Sequence, residues 1–220
     1  MAGVELTGRE RLFATVLATV TWATLLVALV GISLSAETGA ELVRELVVFT
    51  GYFTILTNTA VALTLTAPLV SPGSKPGQFF RRPGVVTGVA VSITLVSAGY
   101  ELLLRGAWNP EGIALLTDVL LHYLIPVGFV LYWWQVTPTG DLQWRDPLVW
   151  LSYPLAYAVY VVIRGELTGL YPYPFLDVSE LGYPTVLGTY AVLAGAFLVL
   201  GWLFVAVGRL RVRRTGHVRL

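Results

Sequence analysis

The residues of this 220-residue chain best suited to chemistry are few, and two of them stand one helical turn apart. In TDVLLHYLIP (117–126), Asp118 and His122 lie at i and i+4, so on an α-helix both side chains share a face. A carboxylate at that position accepts a hydrogen bond from the imidazole, fixes its tautomer and favours its protonated form. The same spacing serves equally well as a structural pair tying two helices together. Pro126 adds a second feature. It has no N–H, so the carbonyl of His122 loses its helical partner and a kink is expected beside the imidazole.

A nucleophile for such a base is a hydroxyl, and FTGYFTILTNTAVAL (49–63) supplies several. Thr50, Thr54 and Asn58, spaced by four, form one polar stripe with Thr57 on its flank and Thr59 beyond. Counted from the expected outer ends of their helices, Thr54 and His122 each lie about nine residues in, or about 13 Å deep at 1.5 Å per residue. A hydroxyl and an imidazole are therefore expected at one level. Threonines in membrane helices commonly bond the carbonyl a turn back or tie helices together, and spacing alone does not set Thr54 apart from its neighbours.

The elements that must position these groups follow from composition. With 56% hydrophobic residues, 12% charged and a mean hydropathy of +0.74, the chain has too little polar surface for a soluble globule. Six stretches reach the roughly 20 apolar residues that a span needs: 12–34, 46–70, 84–104, 113–136, 147–163 and 185–207. The expected fold is an all-α, polytopic membrane bundle of six transmembrane helices in one domain over 1–220. Connectors rich in Pro, Gly and charge, such as SPGSKPGQFFRRP (71–83) and TPTGDLQWRDP (137–147), punctuate it.

By alternation, eleven of the fourteen Arg and Lys residues share the side of both termini, while Arg44, Arg105 and Arg164 lie opposite. Both termini are therefore expected in the cytoplasm of a multi-pass cell-membrane protein. The first apolar run is about 23 residues, longer than the roughly 7–15 of a signal peptide, and reads as a retained helix. The basic tail 208–220, with His217, fits topology and contact with anionic lipid better than a nucleic-acid arm. Membrane lipids are the expected partners and nucleic acid is not. No cysteine is present, and two histidines with scattered acids offer no ligand set at metal spacing, so neither metal nor cofactor is expected.

Two further polar features lie toward the outer end. Glu101 has Arg105 at i+4, as in an interfacial ion pair. In the loop 164–184, Pro172, Pro174 and Pro184 stiffen the backbone, and Tyr171, Tyr173, Phe175 and Tyr183 can sit at headgroup depth. A partly embedded cap over the bundle is expected there, with Asp177 and Glu180 at its rim.

The order YFTILTN (52–58), LLHYLIP (120–126) and RGELTGLYPYPFLDV (164–178) resembles the androgen-induced family of multi-span membrane proteins and its bacterial relatives. The likeness covers roughly 45–205 and is densest in GLYPYPFLDV (169–178). Some animal members hydrolyse fatty acid esters of hydroxy fatty acids through a threonine and a histidine, and position by position these fall on Thr54 and His122. The interval from histidine to proline is one residue shorter here than in animal members, and Asn58 completes a Thr-Asn pattern typical of the bacterial branch.

The resemblance implies acyl transfer: Thr54 as nucleophile, His122 as base, Asp118 orienting it and Asn58 donating to the oxyanion, with Thr50 and Thr57 beside the substrate. The lipid ester would enter laterally from the outer leaflet. Two other functions fit the same residues. One is a proton-coupled transporter using Asp118, His122 and Glu101 as a relay; the other is a structural or regulatory protein without turnover.

Overall fold

A computed structural model describes residues 6–106 and 109–216, with side chains as far as Arg211. His217 and the last residues of the basic tail lie outside the described residues. What is described is helical, with six helices long and apolar enough to cross a membrane.

Helix α1 (Gly8–Ser35) begins in a capping box, in which the Thr7 hydroxyl accepts from the Glu10 N–H and the Glu10 carboxylate accepts from the Thr7 N–H. Helix α2 (Gly39–Gly51) starts at Thr38, whose hydroxyl accepts from the Glu41 N–H, and α3 (Phe53–Val70) follows after a single residue. A short α4 (Lys75–Phe80) leads into α5 (Pro83–Gly99), which is prolonged by a π-turn over Tyr100–Leu104. The fourth span joins α6 (Gly112–Val119), a π-turn over Leu120–Leu124 and α7 (Ile125–Val136). The fifth joins α8 (Asp146–Trp150) to α9 (Ser152–Thr168). The last, α10 (Val178–Gly216), is kinked at Gly182, whose φ of 72° favours glycine.

α1, α3, α5 and α7 form the core, with Ala14, Val61, Ala90, Val91, Ile125 and Phe129 fully buried. Alanine and glycine at these contacts let the helix axes approach, as association within lipid requires. Gly128, for example, leaves room for the Leu17 side chain, which a Cβ would meet at 2.9 Å. The outward faces carry large apolar side chains such as Leu26, Leu34, Leu102, Val127, Val159 and Val192. So much exposed hydrocarbon belongs against lipid.

The structure departs from the expected spans at one place that matters. The run 46–70 is not one helix: it breaks at Tyr52, and the spanning helix is Phe53–Val70. In a continuous helix the Gly51 carbonyl would accept from the Ile55 N–H. Here the Tyr157 hydroxyl donates to Gly51 O at 2.9 Å, and the Ile55 N–H turns to Tyr52 O at 3.1 Å. Arg164, 8% exposed, donates to the carbonyls of Val47 and Leu170 at 2.9 and 2.8 Å. Its guanidinium lies so close to Gly51 that a Cβ there would fall 1.5 Å from Nη1. Arg164 thus belongs to α9, which runs on to Thr168, and not to the outer loop.

Candidate active site

Thr54 is the second residue of α3, 8% exposed, and stands just past the break. Its side chain points across the bundle to the fourth span, where the Thr54 Oγ1 to His122 Nε2 distance is 3.4 Å. The common level expected for these two groups is therefore a direct approach in three dimensions.

On the fourth span, His122 Nδ1 lies 3.0 Å from the main-chain oxygen of Asp118 and 3.2 Å from Asp118 Oδ1. The main-chain oxygen of Asp118 can only accept, so Nδ1 carries the proton, with Asp118 Oδ1 beside it but without a hydrogen bond of its own, and the Nε2 lone pair is left facing the Thr54 hydroxyl. Asp118 is 6% exposed and is held from its far side by Tyr100, whose hydroxyl donates to Oδ2 at 2.5 Å. The Tyr100 ring also stacks on the imidazole, with centroids 3.9 Å apart and planes 15° from parallel.

Both π-turns sit at this point: Tyr100 opens one, and His122 is central to the other. Each inserts a residue into the helical repeat and re-aims the side chains that follow, a distortion frequent at functional sites. The expected irregularity before Pro126 is thus a wide turn directly preceding α7, in which Pro126 occupies the first turn.

Two cavities meet at Thr54. The larger, about 600 Å³, lies among α1, α2 and the fourth span and is lined by Asp118, His122, Glu45, Tyr52, Thr117 and Ser35 together with apolar groups. The smaller, about 100 Å³, lies among α5, α9 and α10; apart from Thr54 and tyrosine hydroxyls its wall is hydrocarbon, including Leu95, Leu103, Leu155 and Leu193. Four residues line both: Thr54, Tyr100, Leu104 and Tyr173.

Tyr173 arrives from the loop between α9 and α10. It is 7% exposed, clasped by the Tyr52 ring at 5.5 Å and the Phe175 ring at 5.2 Å. Its hydroxyl reaches the Thr54 side chain and the main chain of Phe53 and Thr54, and burial pushes the phenol above its ordinary range.

The remaining sequence-derived candidates divide clearly. Asn58 is fully buried below Thr54, but its amide N–H groups go to the carbonyls of Thr54 (2.8 Å) and Leu121 (3.3 Å). Thr57 shares a hydrogen bond with the Tyr153 hydroxyl at 3.0 Å. Thr50 is exposed and donates back to Leu46 O at 2.8 Å. In the loop, Tyr171 packs over Gly165 and donates to Glu166 at 3.3 Å, while Asp177 accepts from the N–H groups of Ser179 and Glu180 and so caps α10. Glu101 is exposed and holds Arg105 at 2.5 Å and the Tyr123 hydroxyl at 2.6 Å.

Tyr100 was not among the residues singled out by sequence. It is one tyrosine among eleven, 18 positions before its partner Asp118, with only its neighbour Glu101 drawing notice.

Comparison of the chain with family models, with curated proteins and with solved structures finds no match.

Proposed function

We propose that this integral membrane protein hydrolyses lipid esters through an acyl-threonine intermediate. The observation that carries the reading is the approach of a buried hydroxyl to an oriented imidazole, 3.4 Å apart, where two cavities meet. Nucleophile within reach of base, and base held by a third group, is the arrangement expected of nucleophilic catalysis.

His122 Nε2 takes the Thr54 proton as Oγ1 attacks the ester carbonyl. The resulting imidazolium returns that proton to the leaving alkoxide, and the alcohol departs from acyl-Thr54. Water then repeats the sequence: His122 removes its proton, the hydroxyl adds to the acyl carbon, and collapse reprotonates Thr54 and frees the carboxylic acid. Asp118 steadies the imidazolium, and Tyr100 steadies Asp118.

The hydrocarbon-walled cavity suits an acyl chain, and the larger one, which contains the base, suits the alcohol portion and water. Ser35, Ile113 and Pro172 place the larger cavity at the end of the bundle away from both termini. With the termini cytoplasmic, as the arginine distribution suggests, lipid would enter from the outer leaflet of the cell membrane. The likeness of YFTILTN, LLHYLIP and GLYPYPFLDV to the androgen-induced family points the same way. A proton relay is disfavoured, because Val61, Leu65, Ile125 and Phe129 are buried below His122 and the polar groups buried on α3 beside them, Asn58 and Thr64, do not ionise.

The test is labelling of the purified protein with an alkyl fluorophosphonate, compared with Thr54→Ala and His122→Ala. Both variants are expected to lose at least about 1,000-fold in rate while remaining folded. Labelling that is indifferent to both would remove the proposal.

A further inference from the structure

We propose that Tyr173 is a catalytic residue of this site, its phenol O–H and the main-chain N–H groups of Phe53 and Thr54 together forming the oxyanion hole. This assignment rests on the hydrolase reading above.

It begins with the helix break. Had 46–70 been one helix, the Thr54 N–H would have been bonded to Thr50 O and the Phe53 N–H to Phe49 O. The chain instead restarts at Tyr52, whose carbonyl accepts from Ile55 and Leu56. Phe53 and Thr54 then become the first two residues of α3, where a helix leaves its N–H groups without helical acceptors. Partial positive charge collects at such an end, and α3 is 18 residues long. The nucleophile's own amide is thereby one of the donors.

A helix terminus alone does not make an oxyanion site; Tyr173 is the second, independent feature. Its side chain is 93% buried, being 7% exposed, and its hydroxyl reaches this terminus and the Thr54 side chain. The ring is held by Tyr52 and Phe175, so the hydroxyl is fixed from the cap and not from the spans. Tyr173 and Thr54 both line the two cavities, so a carbonyl with its acyl chain in one and its alkoxy group in the other lies between them.

At rest the phenol oxygen faces the Phe53 and Thr54 N–H groups and the Thr54 hydroxyl, the place the oxyanion would take, and Thr54 Oγ1 lies 3.4 Å from His122 Nε2. On attack Oγ1 gives its proton to His122 and bonds to the acyl carbon. The phenol O–H swings to the new oxyanion and keeps its proton, and the two amides complete the cradle. Burial raises the phenol above its ordinary value, so it remains a donor at neutral pH. Asn58 is not placed for this role, since its N–H groups are bound to the carbonyls of Thr54 and Leu121.

The experiment uses the full-length protein in detergent with a chromogenic acyl ester. Tyr173→Phe keeps the ring and its stacking but removes the donor; kcat is expected to fall about 100-fold with KM within about twofold, the usual effect of deleting one oxyanion donor. Tyr171→Phe, which removes a hydroxyl bound to Glu166 at the rim, is expected to match the wild type. As a second variant, 3,5-difluorotyrosine at position 173 keeps the shape and acidifies the phenol, so the alkaline limit of kcat is expected to move to lower pH.

A rise in KM alone, unchanged kinetics in Tyr173→Phe, or a difluorotyrosine profile identical to wild type would overturn the assignment and leave the hydrolase reading standing. A wild type inert to both the ester and the fluorophosphonate would remove that reading, and this assignment with it.

Discussion

Helix α1 and the first turn of α3 carry the same side chain in opposite circumstances. In α1 the hydroxyls of Thr15, Thr19, Thr21 and Thr24 each donate to the carbonyl four residues back, at 2.7–2.9 Å. Their hydrogen is committed to the helix, as is common for threonine in apolar surroundings. Thr54 has no such carbonyl behind it, because the residue four back, Thr50, lies across the break in α2. Its hydroxyl meets His122 instead. Further along α3 the ordinary pattern returns, with Thr59 donating to Ile55 O and Thr64 to Ala60 O. The difference teaches that a threonine at the start of a membrane helix lacks the carbonyl that usually takes its hydroxyl hydrogen, which leaves the group for another partner.

That contrast breaks most severely at Gly51. Gly51→Ala would drive a Cβ into the Arg164 guanidinium and dislodge it from the Val47 and Leu170 carbonyls, loosening the break itself. We expect ester hydrolysis to fall by more than about 100-fold, with a stability loss of about 1–3 kcal/mol typical of overpacking, read by thermal unfolding in detergent. Retained activity would mean that the break is not what frees Thr54.

Tyr100→Phe tests the other side of the contrast more gently. It keeps the ring stacked on His122 and removes the hydrogen bond to Asp118. kcat is expected to fall about tenfold at nearly constant KM, which is about 1.4 kcal/mol of lost transition-state stabilisation. Thr24→Ala in α1 should do least: its lost bond is local, so activity should stay within about twofold and stability within about 1 kcal/mol.

Much of the scaffold was legible in the sequence. Apolar length alone marks six spans, and each observed spanning helix overlaps its expected range. Their ends were less legible; the fifth runs to Thr168 and takes in Arg164, because a single buried arginine interrupts the apolar count. The break at Tyr52 was hidden for a related reason. Val47 to Leu56 reads as uninterrupted membrane helix, and the groups that break it, Tyr157 and Arg164, come from more than 100 residues away.

Asp118 and His122 could be paired from spacing because a single helix carries both. The approaches of Thr54 to His122 and of Tyr100 to Asp118 both depend on packing between helices, which no hydrophobic period records. Tyr173 was visible as a loop aromatic, but its reach to Thr54 is set by the cap's path over the bundle.

The central claim is that one hydroxyl, Thr54, is the nucleophile. Digestion of the fluorophosphonate-treated protein followed by mass spectrometry of the peptides tests it most directly. The account predicts a single adduct on Thr54, absent from protein carrying His122→Ala. An adduct on Thr57, Thr59 or a tyrosine of the cap, with Thr54 unmodified, would contradict it.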